Sequence, residues 1–223
     1  DVCSSDLGLP AERRRMVAVN SPLSSLRAAV LDGTADLAME LTARALLGGV
    51  DGARVAEVLL ETALALSGRE AAGASWMHAL LSVGATTELL QHSGPEVVSP
   101  AVVGAAGFLT FARPTRSRVI PGGTAVWPGT RDWLRFIQED RVEDAVRAFR
   151  SVPGDVRDEA WREASLVTSA GWGHQAILGG HVARLAARYA HLDEALHEAA
   201  IRAWTPSEVE GELFSPEGGP VED

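Results

Sequence analysis

Three histidines carry the chemistry this sequence could perform. A Trp-x-His triplet occurs twice, as Trp76-Met-His78 and Trp172-Gly-His174, and His181 follows His174 after two helical turns. A neutral imidazole can bind a metal, accept a proton or hydrogen-bond a carbonyl. Both triplets sit where a helix is expected to begin, and the positive end of a helix dipole favours the neutral ring. On a helix, positions i, i+3, i+7 and i+11 share a face. In the second half that stripe reads His174, Ile177, His181, Arg184 or Leu185, and Arg188; in the first it reads His78, Leu81, Ala85 and Leu89, an apolar packing face. The candidate catalytic residues are therefore His78, His174 and His181, with Trp76, Trp172 and Arg184 as candidate ligand contacts. The plainer alternative has each imidazole donating to a backbone carbonyl and pinning a helix corner, with the tryptophan packed beside it.

Other groupings are thinner. Glu57 and Glu61 stand one helical turn apart and suit carboxylate ligation, but the signature of a di-metal helical bundle, a Glu-x-x-His on each of two further helices, is missing. Glu88 and Arg184 are opposite in sign at matching places in the two halves and are expected to pair. His92, His191 and His197 fall at helix ends or on polar faces and are expected to be solvated. Arg113, Arg116 and Arg118 precede a Gly/Pro-rich run holding Trp127, read as a solvated connection or, alternatively, as a loop over an anionic or aromatic ligand. No P-loop, dinucleotide glycine fingerprint or nucleophile elbow occurs. No cofactor or metal is assigned by these residues.

The elements that would position these groups are all helical. Ser21-Pro22 opens a helix that Asp32-Gly33 ends; Thr34 caps one running to Gly48-Gly49; Asp51 caps a third ending at Ser67-Gly68. Ser75 is expected to open a fourth, Trp76 to Gln91, and Ser99-Pro100 a fifth ending near Phe111. After the run 113–130, helices are expected at Arg131–Glu139, Arg141–Val152, Asp155–Ala170, Gly173–Tyr189 and Asp193–Trp204. The fourth and ninth of these carry the least charge and are expected to be central.

Five helices, a connection and five helices suggest an internal duplication. At an offset of 108, Leu26, Arg27, Asp32 and Asp36 fall on Leu134, Arg135, Asp140 and Asp144. At an offset of 96, Trp76, His78, Gly84 and Leu89 fall on Trp172, His174, Gly180 and Leu185, a shared W-x-H-x5-G-x4-L pattern. The expected architecture is all-α: two tandem pseudo-symmetric five-helix units, 21–112 and 131–205, joined by a linker 113–130. An N-terminal segment 1–20 precedes them and an acidic, flexible tail 206–223 follows.

Charge narrows the partners. The chain of 223 residues carries 30 acids and 20 bases, every base an arginine. The tail holds six acids and no base, and Asp1 and Asp6 lie in the N-terminal segment, so the body is nearly neutral. No clustered excess of arginine marks a nucleic-acid surface. Residues 1–7, Asp-Val-Cys-Ser-Ser-Asp-Leu, read as a translated sequencing-adapter end, which implies a metagenomic fragment in which Cys3 is foreign and the true start is missing. Without Cys3 the chain has no thiol for disulfides, catalysis or metal ligation. The longest charge-free run, Ala164–Ala183, contains two histidines and suits a buried helix better than lipid. The expected setting is the cytoplasm, with no membrane and no nucleic acid, and a small hydrophobic molecule as the candidate ligand.

The run Trp76–Phe111, WMHALLSVGATTELL…VVGAAGFLTF, resembles the questin-oxidase-like helical proteins, with their histidine-led helix followed by a helix of small residues. That resemblance covers about two helices per half and implies a cofactor-poor oxygenase of aromatic polyketides, with His78 and His174 as the carried-over site residues. A second segment, Leu26–Val58, is similar to the cap helices of cobalamin-binding proteins but lacks the Asp-x-His-x-x-Gly loop and nucleotide-type domain that would follow. Two functions are consistent with the sequence. One is an oxidoreductase or oxygenase-like enzyme acting on a hydrophobic or aromatic molecule held between the halves. The other is a non-catalytic helical module that binds a ligand or a protein.

Overall fold

A computed structural model describes residues 22–67, 73–112, 122–167 and 174–204, and of 73–77, 167, 174 and 175 it describes the backbone only. The segment 1–20, the first half of the linker (113–121), Trp172, the side chains of Trp76 and His174, and the tail 206–223 thus lie outside the described residues. Every regular element described is helical: α1 (Pro22–Asp32), α2 (Ala35–Leu47), α3 (Gly52–Ser67), α4 (Gly73–His92), α5 (Pro95–Phe111), α6 (Thr130–Gln138), α7 (Val142–Phe149), α8 (Gly154–Val167), α9 (His174–Arg188) and α10 (Asp193–Trp204), with a short 3-10 turn at Ala190–Leu192. No described helix is long and apolar enough to cross a membrane.

The punctuation acts as its chemistry requires. Pro22 opens α1, where its missing N–H costs nothing. Thr34 Oγ1 accepts from the Leu37 amide at 3.3 Å, and Asp51 Oδ1 accepts from the Ala53 amide at 3.1 Å. The fifth helix departs from expectation. It begins at Pro95 behind Gly94, and Pro100 sits inside it. The earlier proline takes the first position, and Pro100 removes one helical hydrogen bond, the one an N–H at its position would give to the Glu96 carbonyl near the exposed helix end.

In the first half, α3 is the buried centre: Val55, Ala56, Leu59, Leu60, Ala63 and Leu66 are completely enclosed. It packs on α1, α2, α4 and α5, while α2 lies against α5. In the second half the role of hub belongs to α10, which meets α7 and α9 and reaches across to α3 and α4. This differs from the expectation that the ninth helix would be central. The low charge of α9 reflects a helix buried along one flank only, through Leu178, Val182, Leu185 and Ala186, with Ile177 half exposed.

Polar groups inside the helices are satisfied locally. Thr42, Thr62, Thr87, Thr110 and Ser165 return their hydroxyls to the carbonyl four residues back, at 2.6–3.0 Å. The buried indoles reach further. Trp133 Nε1 donates to the Ala145 carbonyl and Trp161 Nε1 to the Gly179 carbonyl, each at 3.0 Å, tying α6 to α7 and α8 to α9. An aromatic column runs through the half, Trp127–Trp133–Phe149–Trp161–Trp204, with neighbouring ring centroids 4.4–5.6 Å apart.

The end of the linker belongs to this half as well. The Ala125 amide donates to the Arg147 carbonyl, Arg150 Nη1 donates to the Gly123 carbonyl, Ser151 Oγ donates to the Ala125 carbonyl, and Trp127 packs on Trp133. Residues 122–129, none of them buried and five of them exposed, are thus a solvated strap tied to the end of α7.

Helical glycines separate into two kinds. A Cβ on Gly179 would stand 2.0 Å from Ser165 Oγ and 2.7 Å from its Cβ, whereas one on Gly180 would meet only the tip of Arg184 at 3.5 Å. Gly179→Ala should therefore destabilise the protein by about 1–3 kcal/mol through overpacking. Gly180→Ala should stabilise it by up to about 1 kcal/mol through helix propensity. Urea denaturation of both variants checks the pair; equal effects would show that α8 and α9 do not touch at Gly179.

Candidate functional site

The helices that carry the two Trp-x-His triplets lie side by side: α4 of the first half packs against α9 of the second. Gly84 faces α9 at this contact: a methyl there would meet Leu185 Cδ1 at 3.4 Å and His181 Nδ1 at 3.6 Å, ordinary van der Waals distances, so the imidazole lies over the glycine with room for an alanine. One turn further along α4, Glu88 meets both polar groups of the facing stripe. Its Oε1 is 2.6 Å from Arg184 Nε and 3.0 Å from His181 Nδ1. The arginine contact is an aligned hydrogen bond, while the histidine contact falls within ion-pair distance with the ring N–H pointing off the oxygen.

The electrostatics of this cluster centre on the carboxylate. Partial burial pushes the Glu88 carboxyl up, but the hydrogen bond from Arg184 and the neighbouring His181 and Arg184 charges outweigh it and hold it below its ordinary range. Glu88 is therefore ionised at neutral pH and can stabilise positive charge on the imidazole beside it. The expected pairing of Glu88 with Arg184 is present, and His181 joins it.

Other sequence expectations for these helices need correction. His78 is the sixth residue of α4, since the helix begins at Gly73, so it lies beyond the first turn and outside the strongest part of the helix dipole. It is half-buried. The face His78, Leu81, Ala85, Leu89 is not the packing face: Ala85 and Leu89 are exposed, and the buried flank consists of Ala79, Leu80, Val83, Thr86 and Thr87. The second stripe, too, misses the core. His181 keeps 14% of its side-chain surface and Arg184 keeps 59%, which places both on the seam between the halves. Periodicity located one face of each helix but could not tell core from seam, because both are low in charge.

A further histidine escaped the sequence reading. His197, expected to be solvated, is buried between Phe149 and Trp161, at centroid distances of 5.2 Å and 4.3 Å. Its Nδ1 donates to the Asp193 carbonyl at 2.8 Å and lies 3.2 Å from Asp193 Oδ1. In front of it is a small cleft of about 140 Å³ lined by Phe149, Arg150, Val152, Arg157, Asp193, Glu194 and Glu198. Arg150 pairs with Glu198 at 2.5 Å and with Glu194 at 3.1 Å, and Arg157 pairs with Asp193 at 2.6 Å. Every charged group of the cleft thus has an ionic partner, so this cluster reads as a brace for the aromatic column. The i, i+4 spacing of Asp193 and His197 was the available signal.

Burial pushes the His197 imidazole below its ordinary value, against the opposing pull of its hydrogen bond to the Asp193 backbone and of the Asp193 carboxylate. The unfolded chain then takes up a proton that the folded protein resists. Stability is full above the ordinary imidazole value of about pH 6.5 and falls as the pH drops from there toward the folded-state value. The melting temperature should decline between about pH 7.5 and pH 5, a window that lies above the titration of Glu88. His197→Phe keeps a ring in the column and removes the proton site. Its melting temperature relative to wild type should improve steadily as the pH falls; a pH-independent difference would assign the decline to other groups.

Compared with protein-family models, curated proteins and solved structures, the chain matches none.

Proposed function

We propose that this protein is an oxygenase-like oxidoreductase acting on a hydrophobic, aromatic small molecule at the seam between its two halves. The observation that carries this reading is the packing of α4 on α9, because those helices bear His78, His174 and His181. In this reading His181 is the proton acceptor best supplied with partners. A small rotation of its ring aligns Nδ1–H with Glu88 Oε1, 3.0 Å away, and leaves Nε2 unprotonated and basic. Arg184, sharing the same carboxylate oxygen, holds Glu88 in place and offers its remaining N–H groups to an oxygen of the ligand. Trp76 and Trp172 supply flat apolar surface for an aromatic ring, and His78 and His174 complete the proton-handling set. The resemblance of Trp76–Phe111 to questin-oxidase-like proteins points to the same substrate class.

The proposal includes the duplication of the five-helix unit and a cytoplasmic setting. Two features support the duplication. The fourth helix of one half packs on the fourth helix of the other, and Glu88 pairs with Arg184, its own equivalent at the offset of 96. On a pseudo-twofold axis, a residue faces its counterpart in this way.

A non-catalytic ligand-binding or protein-interaction module is the second reading. It is favoured by the large apolar side chains exposed on the first half, Leu47 at 89% and Phe111 at 77%.

Oxygen uptake in the presence of aromatic polyketides separates the two. His78→Gln, His174→Gln and His181→Gln should each lower turnover about 100-fold or more. His181→Leu should leave stability within about 1 kcal/mol of wild type, because Arg184 still pairs with Glu88. Binding of such compounds without oxygen uptake, or turnover indifferent to all three histidines, leaves the binding module as the answer.

A further inference from the structure

One cluster of ligating side chains lies apart from the α4–α9 seam. Glu57 and Glu61 project from the same face of α3, one turn apart, and His191 comes to them from the 3-10 turn between α9 and α10. The packing of α3 on α10 brings the turn there. His191 Nε2 is 3.8 Å from Glu57 Oε1, and one donor atom from each of the three residues lies within 4.8 Å of the others. We propose that Glu57, Glu61 and His191 form a binding site for a divalent first-row transition ion, Zn²⁺ by its donor chemistry, that clamps α3 to the turn preceding α10.

The donor set is one imidazole nitrogen and two carboxylate oxygens, which suits zinc better than the oxygen-only ions magnesium and calcium. Ligand bonds of about 2.0–2.2 Å require the three atoms to draw slightly closer, a movement within reach of the glutamate side-chain torsions. The two carboxylates are three-quarters buried or nearly so, at 21% and 28% side-chain exposure, while His191 is exposed at 57%, which leaves the outer coordination positions open to water. Arg54 is the resident counter-cation. Its Nη1 is 2.5 Å from Glu57 Oε2 and 3.9 Å from Glu61 Oε1, so it neutralises the pair, while His191 faces the other oxygen of Glu57. Half exposed, Arg54 can swing into solvent when an ion arrives. Metal binding and the arginine thus compete for the same carboxylates.

That competition gives the test a signature that nonspecific binding lacks. The full chain, stripped of metal by chelator dialysis, is titrated with Zn²⁺ and followed by calorimetry and thermal melting. Wild type should bind and gain melting temperature at no more than about 100 µM free Zn²⁺. His191→Ala, at an exposed residue, and the isosteric Glu61→Gln should each weaken binding about tenfold or more. Arg54→Ala should tighten it several-fold. His78→Gln should leave this site unchanged, which separates it from any metal at the α4–α9 seam. Absence of stabilisation in wild type, or stabilisation that survives both His191→Ala and Glu61→Gln, overturns the proposal.

Discussion

The closeness of α4 to α9, together with the reach of α10 across to α3 and α4, joins the two halves of the molecule. Two helices with little charge along their facing flanks exclude water only if they pack closely, and at Gly84 the side chains of Leu185 and His181 close over the α4 backbone. Once the flanks are that close, a charged group at the edge must be paired or moved to solvent. Glu88 is paired twice, with Arg184 and with His181, and both partners sit on the opposite helix. The seam is thus apolar at its centre and ionic at its margin. The ionic margin sets the register in which the two helices lie.

The halves solve the problem of burial differently. In the first, aliphatic and alanine side chains on α3 and α5 fill the interior, and among the described residues the buried polar side chains are serines and threonines, with Thr62 and Thr110 returning their hydroxyls to their own helix. In the second, where the helices α6 and α7 are short, large rings do the filling: Trp133, Phe149, Trp161 and Trp204 occupy the volume that several aliphatic side chains would otherwise take. The indoles need hydrogen-bond acceptors, and each such bond ties one helix to the next. His197 fits the column as a flat ring whose one donor is satisfied within its own helix.

Much of the fold was legible because helix ends leave chemical marks. Pro22, Thr34, Asp51 and Asp193 announced four starts within one residue of where they occur. Pro100 misled because a proline is tolerated within the first turns of a helix as well as at its first position, and Pro95 also qualified. Site residues were harder to read. The Glu88–Arg184 pair was visible in the alignment of the two halves, since opposite charges stood at matching places. His181 was visible as a polar group on a helix with little charge, but its partner was not, because that partner lies on another helix. His191 and His197 were both expected to be solvated: His191, beside two carboxylates, is exposed, whereas His197, against Phe149 and Trp161, is buried. A sequence pattern conveys which face of a helix a residue occupies. What lies across from that face is set by packing between distant segments.

The aromatic column has an optical consequence. Neighbouring indoles at 4.4–5.6 Å lie well within the range of excitation transfer, and Trp133, Trp161 and Trp204 are held in fixed, water-free orientations. Light absorbed by any of them reaches the others before it is emitted, and their rigid asymmetry gives strong near-ultraviolet circular dichroism. The described part of the first half contributes no indole between α1 and α3. Ultraviolet spectroscopy of this protein is therefore weighted toward the packing of α6, α7, α8 and α10, and the aliphatic interior around α1–α3 is nearly silent to it.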